Sequence, residues 1–185
     1  MNAQITKDEI AELLLTPDAL VTLSLEDAKT LVSYMLLSQY QEGTVIFKAG
    51  QQGIASDYLM LVIEGDVLIE HDSTGDGSVV VSVLGAGHLI GEMGVIDGAP
   101  RSATCTAQTA VEAAVLSCTD LERLLIEHPQ LGARFVMAIA KRLADRVRLG
   151  NQKILMLSQV NDAMQQEIKA QSSKRPHRFL TALSS

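Results

Sequence analysis

A series of short segments rich in β-branched residues, separated by glycine-containing turns, constrains the fold of this chain more than any other feature. The strand-like runs are residues 43–47, 58–63, 67–70, 78–83, about 102–107 and about 110–116. Glycine turns such as Ala49-Gly50 and Gly85-Ala86-Gly87 lie between them. About seven or eight strands at regular spacing predict a mainly β domain of antiparallel hairpins, which is typical of a sandwich, roll or barrel.

Helical patterns precede the strands. Thr6-Lys7-Asp8-Glu9 is a capping-box pattern that leads into apolar residues at helical spacing. Ser24, followed by Asp27, is a second helix-start signal. We therefore predict an N-terminal helical lead over residues 1–21 and a second short helix before the main β body, which begins at about residue 40.

The helical period returns after Ser117. A capped helix from Thr119 should end near His128-Pro129, because proline disfavours α geometry in the residue before it. A longer helix should start near Gln130, and Gly150-Asn151 should break or bend it. The apolar stripes of the two helical stretches are Val136, Ala140, Leu143 and Val147, and then Ile154, Leu157, Val160, Met164 and Ile168. The prediction is helices over 119–149, then a helical extension and polar tail over 150–185.

Charge and composition exclude several classes of function. A formal net charge of −7 disfavours broad binding to DNA or to an anionic membrane. Three Tyr, three Phe and no Trp are too few for a stacking surface for single-stranded nucleic acid. No run approaches 18 apolar residues and the N-terminus is polar, so we expect neither a membrane span nor a signal peptide. A cytoplasmic location is expected.

The two cysteines, Cys105 and Cys118, lie in apolar-rich sequence. A disulfide or a metal site would be possible, but two buried thiols in a reducing compartment agree better with this setting. His88 lies near Glu92, as in a cupin metal site, yet such sites need about three clustered ligands, and the four histidines include no His-x-His pair. No metal is expected, and no local signature of a catalytic nucleophile is present.

The segment from Gly87 to Thr104 carries the chemistry. After a strand and a glycine turn, Gly91-Glu92 opens a short helix whose free N–H groups suit an anion. Arg101 offers a planar fork for two phosphate oxygens, and Ser102 adds a hydroxyl. An ionised Glu92 only accepts hydrogen bonds, so a sugar hydroxyl is a suitable partner. These groups together indicate a nucleotide-binding cradle.

The string Gly91-Glu92-Met93 … Pro100-Arg101-Ser102-Ala103-Thr104 resembles the phosphate-binding cassette of the cyclic-nucleotide-binding domain family. That family includes bacterial cAMP receptor proteins, regulatory subunits of cAMP-dependent kinase and cyclic-nucleotide-gated channels. The resemblance covers about residues 22–148 and implies an antiparallel β-roll, jelly-roll-like, with N-terminal helices and a long C-terminal helix. It places the domain at 22–149, the roll at about 40–117 and the cassette at 87–104.

The resemblance also implies roles for individual residues. Glu92 would bind the ribose 2′-hydroxyl, Arg101 the cyclic phosphate, and Ser102 a phosphate oxygen or the purine edge. Backbone N–H groups at Gly91, Glu92 and Ser102 would complete the cradle. The remaining candidate ligand contacts are Leu84, Ile90 and Met93 as apolar wall, Ala103 in the cassette, and Arg146.

Two departures from the family pattern matter. Arg146 and Val147 stand where the bacterial receptors place hydroxyl residues that read the adenine; Arg146 could instead stack on a purine. A hydroxyl at the position of Ser102 often accompanies cGMP recognition, so cAMP and cGMP both stay open. The 35 residues after Gly150 contain no helix-turn-helix pattern with a basic recognition face, so DNA binding is not expected.

The expected function is a non-enzymatic sensor of cAMP or cGMP. It would form a homodimer through its C-terminal helices and pass a helix movement to an effector protein that the sequence does not identify. Three alternatives remain at this point. They are a cAMP-receptor-type transcriptional regulator without its DNA reader, a degenerate roll that serves only as a dimerisation scaffold with a structural Glu92–Arg101 pair, and a cupin-like metalloenzyme.

Overall fold

Eight strands form two four-stranded antiparallel sheets in the part of the chain that the computed structural model describes, residues 5–53, 57–72 and 78–173. The strands are β1 (Leu36–Tyr40), β2 (Val45–Phe47), β3 (Tyr58–Glu64), β4 (Val67–Asp72), β5 (Ser78–Leu84), β6 (Leu89–Ile90), β7 (Thr104–Ala107) and β8 (Val111–Ser117). One sheet has the order β1-β8-β3-β6 and the other β2-β7-β4-β5. The predicted antiparallel β-roll with flanking helices is confirmed.

Both sheets contribute side chains to one buried core. Met60, Val62 and Ala113 come from the first sheet, and Phe47 and Val67 from the second. Strand β3 is buried along almost its whole length, from Leu59 to Ile63, because it lies inside its sheet and also contacts helices. Burial on both faces explains why this strand is a continuous apolar run rather than an alternating one.

The five helices are α1 (Lys7–Leu14), α2 (Leu25–Val32), α3 (Glu92–Asp97), α4 (Cys118–Glu127) and α5 (Pro129–Ser173). The predicted capping box is present at α1, where Thr6 Oγ1 accepts from Glu9 N and the Glu9 carboxylate accepts from Thr6 N. Ser24 caps α2 as predicted. Helix α4 ends one residue before His128, in agreement with the expected effect of Pro129.

The prediction that Gly150-Asn151 breaks or bends the long helix is wrong as to a break. Helix α5 is continuous from Pro129 to Ser173, and Gly150 is not among the glycines with positive φ. An interior glycine costs about 1 kcal/mol relative to alanine but leaves the hydrogen-bond ladder intact, and good helix formers on both sides outweigh it. The helices expected over 119–149 therefore do not end at 149. The polar tail over 174–185 lies outside the described residues.

The chain divides into two compact units, Met1–Arg142 and Leu143–Ser185. The first unit holds the roll, helices α1 to α4 and the beginning of α5. The second unit holds the rest of α5, whose described side chains from residue 151 to 170 are all exposed. No helix within the described ranges is both long enough and apolar enough to cross a membrane.

A polar contact joins helix α2 to the beginning of α5 in the first unit. Arg134 donates from Nε and Nη2 to the two carboxylate oxygens of Asp27, at 2.8 and 2.7 Å. The Arg134 guanidinium holds the pKa of this carboxyl below its usual range. In addition, the Tyr34 hydroxyl donates to Glu127 at the end of α4. These contacts hold the helices before and after the roll together.

The turn between β3 and β4 generates a prediction about stability. Gly65 has φ of +87°, and a Cβ there would lie 2.1 Å from the carbonyl oxygen of Ala110. Gly43 has a similar φ of +81° but open space around it. We expect Gly43→Ala to cost about 1–2 kcal/mol from backbone strain, and Gly65→Ala to cost about 3 kcal/mol or more because the neighbouring backbone must also move. Urea denaturation measures both; equal costs would contradict the close approach.

Candidate functional site

The cassette begins where strand β6 ends and the chain turns into helix α3. Gly91 precedes α3 in the left-handed region, with φ of +86°, and Gly98 ends the helix with φ of +63°. A helix of six residues is too short to be stable alone, so its position depends on the groups packed beneath it. The chief group there is the side chain of Arg101.

Arg101 is buried under the start of α3, with 7% of its surface exposed. Its Nη1 donates to the carbonyl oxygen of Gly91 at 2.8 Å, and its Nη2 donates to the carbonyl oxygen of Tyr58. The guanidinium carbon lies 4.0 Å from the centre of the Phe47 ring and 5.8 Å from that of Tyr58. The charge of Arg101 is therefore fixed in position by two carbonyls and an aromatic face.

The main chain of Arg101 is anchored as well. Its N–H donates to the carbonyl of Gln51 at 2.9 Å, and its carbonyl accepts from the N–H of Gly50 at 2.8 Å. These two bonds tie the end of the cassette to the loop after β2. Both the backbone and the head group of Arg101 are thus held in place.

Glycine is required where the guanidinium passes under the helix. A Cβ on Gly91 would lie 2.9 Å from Arg101 Nη1 and 3.0 Å from the carbonyl oxygen of Tyr58. A Cβ on Gly94 would lie 3.0 Å from the same Nη1. The absence of a side chain at Gly91 and at Gly94 therefore leaves room for the guanidinium.

Burial has clear electrostatic effects around Arg101. Desolvation lowers the pKa of its guanidinium, while the nearby Tyr58, Cys105 and Asp57 act in the opposite direction. An arginine still remains protonated at neutral pH, because its ordinary pKa is above 12. Burial raises the pKa of the Cys105 thiol to about 12. Arg101 therefore keeps its positive charge in a poorly solvated environment, where electrostatic interactions are stronger than in water.

Of the predicted ligand contacts, the structure brings Gly91, Glu92 and Arg101 together at the start of α3. Glu92 is the first residue of the helix and is 2% exposed. Ser102 follows Arg101 and is exposed. Glu92 and the guanidinium of Arg101 are thus both buried at the start of α3, whereas Ser102 is exposed.

The other predicted contacts have different surroundings. Ile90 is a buried member of the roll core, Leu84 packs against that core, and Ala103 is buried. Met93 is 42% exposed on α3. Arg146 lies in the second compact unit and is exposed. The suggested roles of Ile90 and Leu84 as pocket wall thus compete with roles in the core.

Cysteine and histidine positions bear on the metal-site alternative. Both thiols are free; Cys105 is buried, whereas Cys118, expected to be buried, is partly exposed at the first residue of α4. His88 Nδ1 lies 3.1 Å from the carbonyl oxygen of Gly85, and its Nε2 lies 3.9 Å from Asp18 Oδ1. Among the described residues there is no group of three or more potential metal ligands.

Sequence reasoning missed two residues that contact Arg101. Phe47 reads as an ordinary apolar residue at the end of a strand, and Tyr58 as the first residue of another. The sequence carries no signal for these contacts, because the two rings meet Arg101 only in the fold.

The start of the cassette has further contacts that the sequence did not indicate. Thr16 Oγ1 donates to the carbonyl of Gly87 at 2.9 Å, from the segment after α1. Arg142 Nη2, on α5, donates to the carbonyl of Leu89 at 3.1 Å. Two carbonyls at the start of β6, those of Gly87 and Leu89, therefore accept hydrogen bonds from elements that come before and after the roll in the sequence.

Comparison with known proteins supports the predicted family. The sequence model of the cyclic nucleotide-binding domain matches residues 37–128. The crystal structure of a cyclic nucleotide-binding domain from Methylobacillus flagellatus is 34% identical, with a TM-score of 0.70, over 80% of this chain and 82% of that one.

Two longer proteins also contain a similar region. A CRP-like cAMP-activated global transcriptional regulator of Mycobacterium tuberculosis is 24% identical over 104 residues, which are 56% of this chain and 45% of that protein. Glutaminase 1 of Bradyrhizobium diazoefficiens is 31% identical over 136 residues, 74% of this chain and 21% of that protein. The chain thus spans less than half the length of either protein. On the domain match and the shared fold, the chain belongs to the cyclic nucleotide-binding domain family.

Proposed function

We propose that this chain is a sensor that binds a cyclic mononucleotide, cAMP or cGMP, in the cassette over residues 87–104. The observation that carries the proposal is Arg101, a buried cation held under the start of α3, the helix whose first residue is the buried Glu92. An arginine placed this way at the edge of a cradle is suited to a ligand with one negative charge.

Each polar group of the site matches one part of such a ligand. The guanidinium of Arg101 would bind two oxygens of the cyclic phosphate, since its fork suits bidentate contacts. Glu92 would accept from the ribose 2′-hydroxyl, and Ser102 would donate to a phosphate oxygen or to the purine edge. Met93 and Arg146 remain candidates for contact with the base. The proposed role is binding and signalling rather than catalysis, in the cytoplasm.

We expect ligand binding to raise the melting temperature of the full chain. A cyclic nucleotide at about 100 times its Kd should stabilise the fold by roughly 2.7 kcal/mol, a shift of several degrees at this size. Melts with 3′,5′-cAMP, 3′,5′-cGMP, cyclic di-GMP and 5′-AMP identify the preferred ligand. Arg101→Lys keeps the charge but loses the fork, so it should weaken binding about 10- to 100-fold.

Arg123→Ala is the matched control, because Arg123 is an exposed arginine of α4 outside the cassette. It should leave the ligand-induced shift unchanged. The absence of a shift with all four compounds would favour the scaffold alternative. An equal shift with 5′-AMP would mean that the site does not recognise the cyclic phosphate. Salt-sensitive binding to promoter DNA would instead favour the transcriptional-regulator alternative.

A second copy of this chain is the partner that helix α5 fits best. Residues 143–168 follow a heptad pattern in which positions a and d are Val147, Ile154, Asn161 and Ile168, and Leu143, Gly150, Leu157 and Met164. Val147, Ile154, Leu157 and Met164 are all more than half exposed. β-branched residues at a with Leu at d favour a parallel two-stranded coiled coil, and one Asn at a fixes its register.

We expect the chain to be a dimer of about 40 kDa, twice the mass of 19.9 kDa, in sedimentation equilibrium at micromolar concentration. Leu157→Lys places a charge in the helix interface and should shift the chain to monomer by at least tenfold in dimer Kd. Gln159→Lys introduces the same charge at a position outside the interface and should leave the dimer intact. A monomeric wild type, or equal effects of the two substitutions, would contradict the proposed interface.

A further inference from the structure

The aromatic residues under Arg101 form a distinct structural feature. Phe47, at the end of β2, and Tyr58, at the start of β3, have ring centres 4.7 Å apart and tilted by 38°. The Arg101 guanidinium carbon lies over both rings, much closer to Phe47. Phe47 is 1% exposed, so the ring itself is closed off from solvent.

We propose that Phe47 and Tyr58 are an aromatic seat that positions Arg101 for the ligand phosphate and raises affinity through it. The inference rests on the proposed function of Arg101. Neither ring needs to touch the ligand, so both are positioning residues. They fix the orientation of the Arg101 guanidinium and stabilise its positive charge.

An aromatic support has an electrostatic advantage over a carboxylate partner. The faces of the rings attract a cation through their quadrupole, yet they carry no net charge. They therefore offset part of the desolvation of Arg101 without competing with a phosphate for its positive charge.

The seat is itself fixed at several points. The Tyr58 hydroxyl donates to the carbonyl of Ile46 at 3.3 Å, while the Tyr58 carbonyl accepts from Arg101 Nη2. Because Ile46 is in β2 and Tyr58 in β3, this residue links the two sheets directly below the cassette. A guanidinium held by two carbonyls and stacked on a ring has few other orientations, so little rotamer entropy remains to be lost when a ligand binds.

The competing explanation is that Phe47 only fills the core. A double-mutant cycle with Arg101 separates the two, because core filling predicts no energetic coupling to the arginine in ligand binding. Phe47→Leu keeps an apolar side chain but removes the ring, and Phe47→Tyr restores a ring. Phe135→Leu is the matched control, since Phe135 is an equally buried phenylalanine on α5.

Titration calorimetry of the full chain with the cyclic nucleotide that gives the largest melting shift measures the effect. Phe47→Leu should weaken binding about three- to thirtyfold, Phe47→Tyr should bind nearly as wild type, and Phe135→Leu should lower the melting temperature without changing Kd. In the Arg101→Lys background, whose head group lacks the stacking plane, Phe47→Leu should have a clearly smaller effect. Tyr58→Leu is the second variant if Phe47→Leu does not fold.

A ligand-free readout keeps the seat testable by itself. Ring currents from Phe47 should shift the Arg101 side-chain N–H resonances in NMR spectra, and Phe47→Leu should abolish that shift. An unchanged Kd in Phe47→Leu, or equal losses in both Arg101 backgrounds, would overturn the seat while leaving the proposed function intact. If wild type binds no cyclic nucleotide, the proposed function fails, and the NMR shift alone then reports whether the stacking exists.

Discussion

The burial of the Arg101 guanidinium between the roll core and a six-residue helix determines most of the other features of the site. A cation in that place needs partners that leave it charged, and the chain supplies two carbonyls and an aromatic face. The carbonyl of Gly91 is available because Gly91 adopts a left-handed conformation, and the lack of a Cβ there leaves room for Nη1. One buried charge thus accounts for a glycine, a strand-end phenylalanine and the path of α3.

The elements that sequence predicted well are those with local causes. Thr6 and Glu9 form their capping box within four residues, and Ser24 caps α2 in the same way. Six of the eight strands in the described residues were identified from β-branched runs between glycine turns. Strands β1 and β6 were not among those runs, and β1 begins at Leu36, before the predicted start of the roll at about residue 40. The cassette could be recognised from the sequence because its marker residues are close together in the chain, namely Gly91, Glu92, Arg101 and Ser102. Their individual roles came from a resemblance and remain proposals.

What sequence could not provide depends on contacts between distant segments. Nothing local distinguishes Phe47 from any apolar strand residue, since its contact with Arg101 exists only after β2 and the cassette meet in the fold. The same holds for the hydrogen bonds from Thr16 to the carbonyl of Gly87 and from Arg142 to the carbonyl of Leu89. The predicted break at Gly150 was wrong for a different reason. The low helix propensity of one glycine was given more weight than that of the helix-forming residues on both sides of it.

The contacts at the start of the cassette suggest how a ligand could act beyond its site. A ligand shifts a conformational equilibrium only through contacts that differ between two states. A phosphate that binds Arg101 would act on Gly91, because the carbonyl of Gly91 accepts a hydrogen bond from the same guanidinium. Two residues earlier in the chain, the carbonyl of Leu89 accepts a hydrogen bond from Arg142 of α5. The carbonyl of Gly87 in turn accepts a hydrogen bond from Thr16, in the segment after α1. Hydrogen bonds at Gly87, Leu89 and Gly91, all within five residues, therefore link the start of the cassette to both helical segments of the first unit and to Arg101.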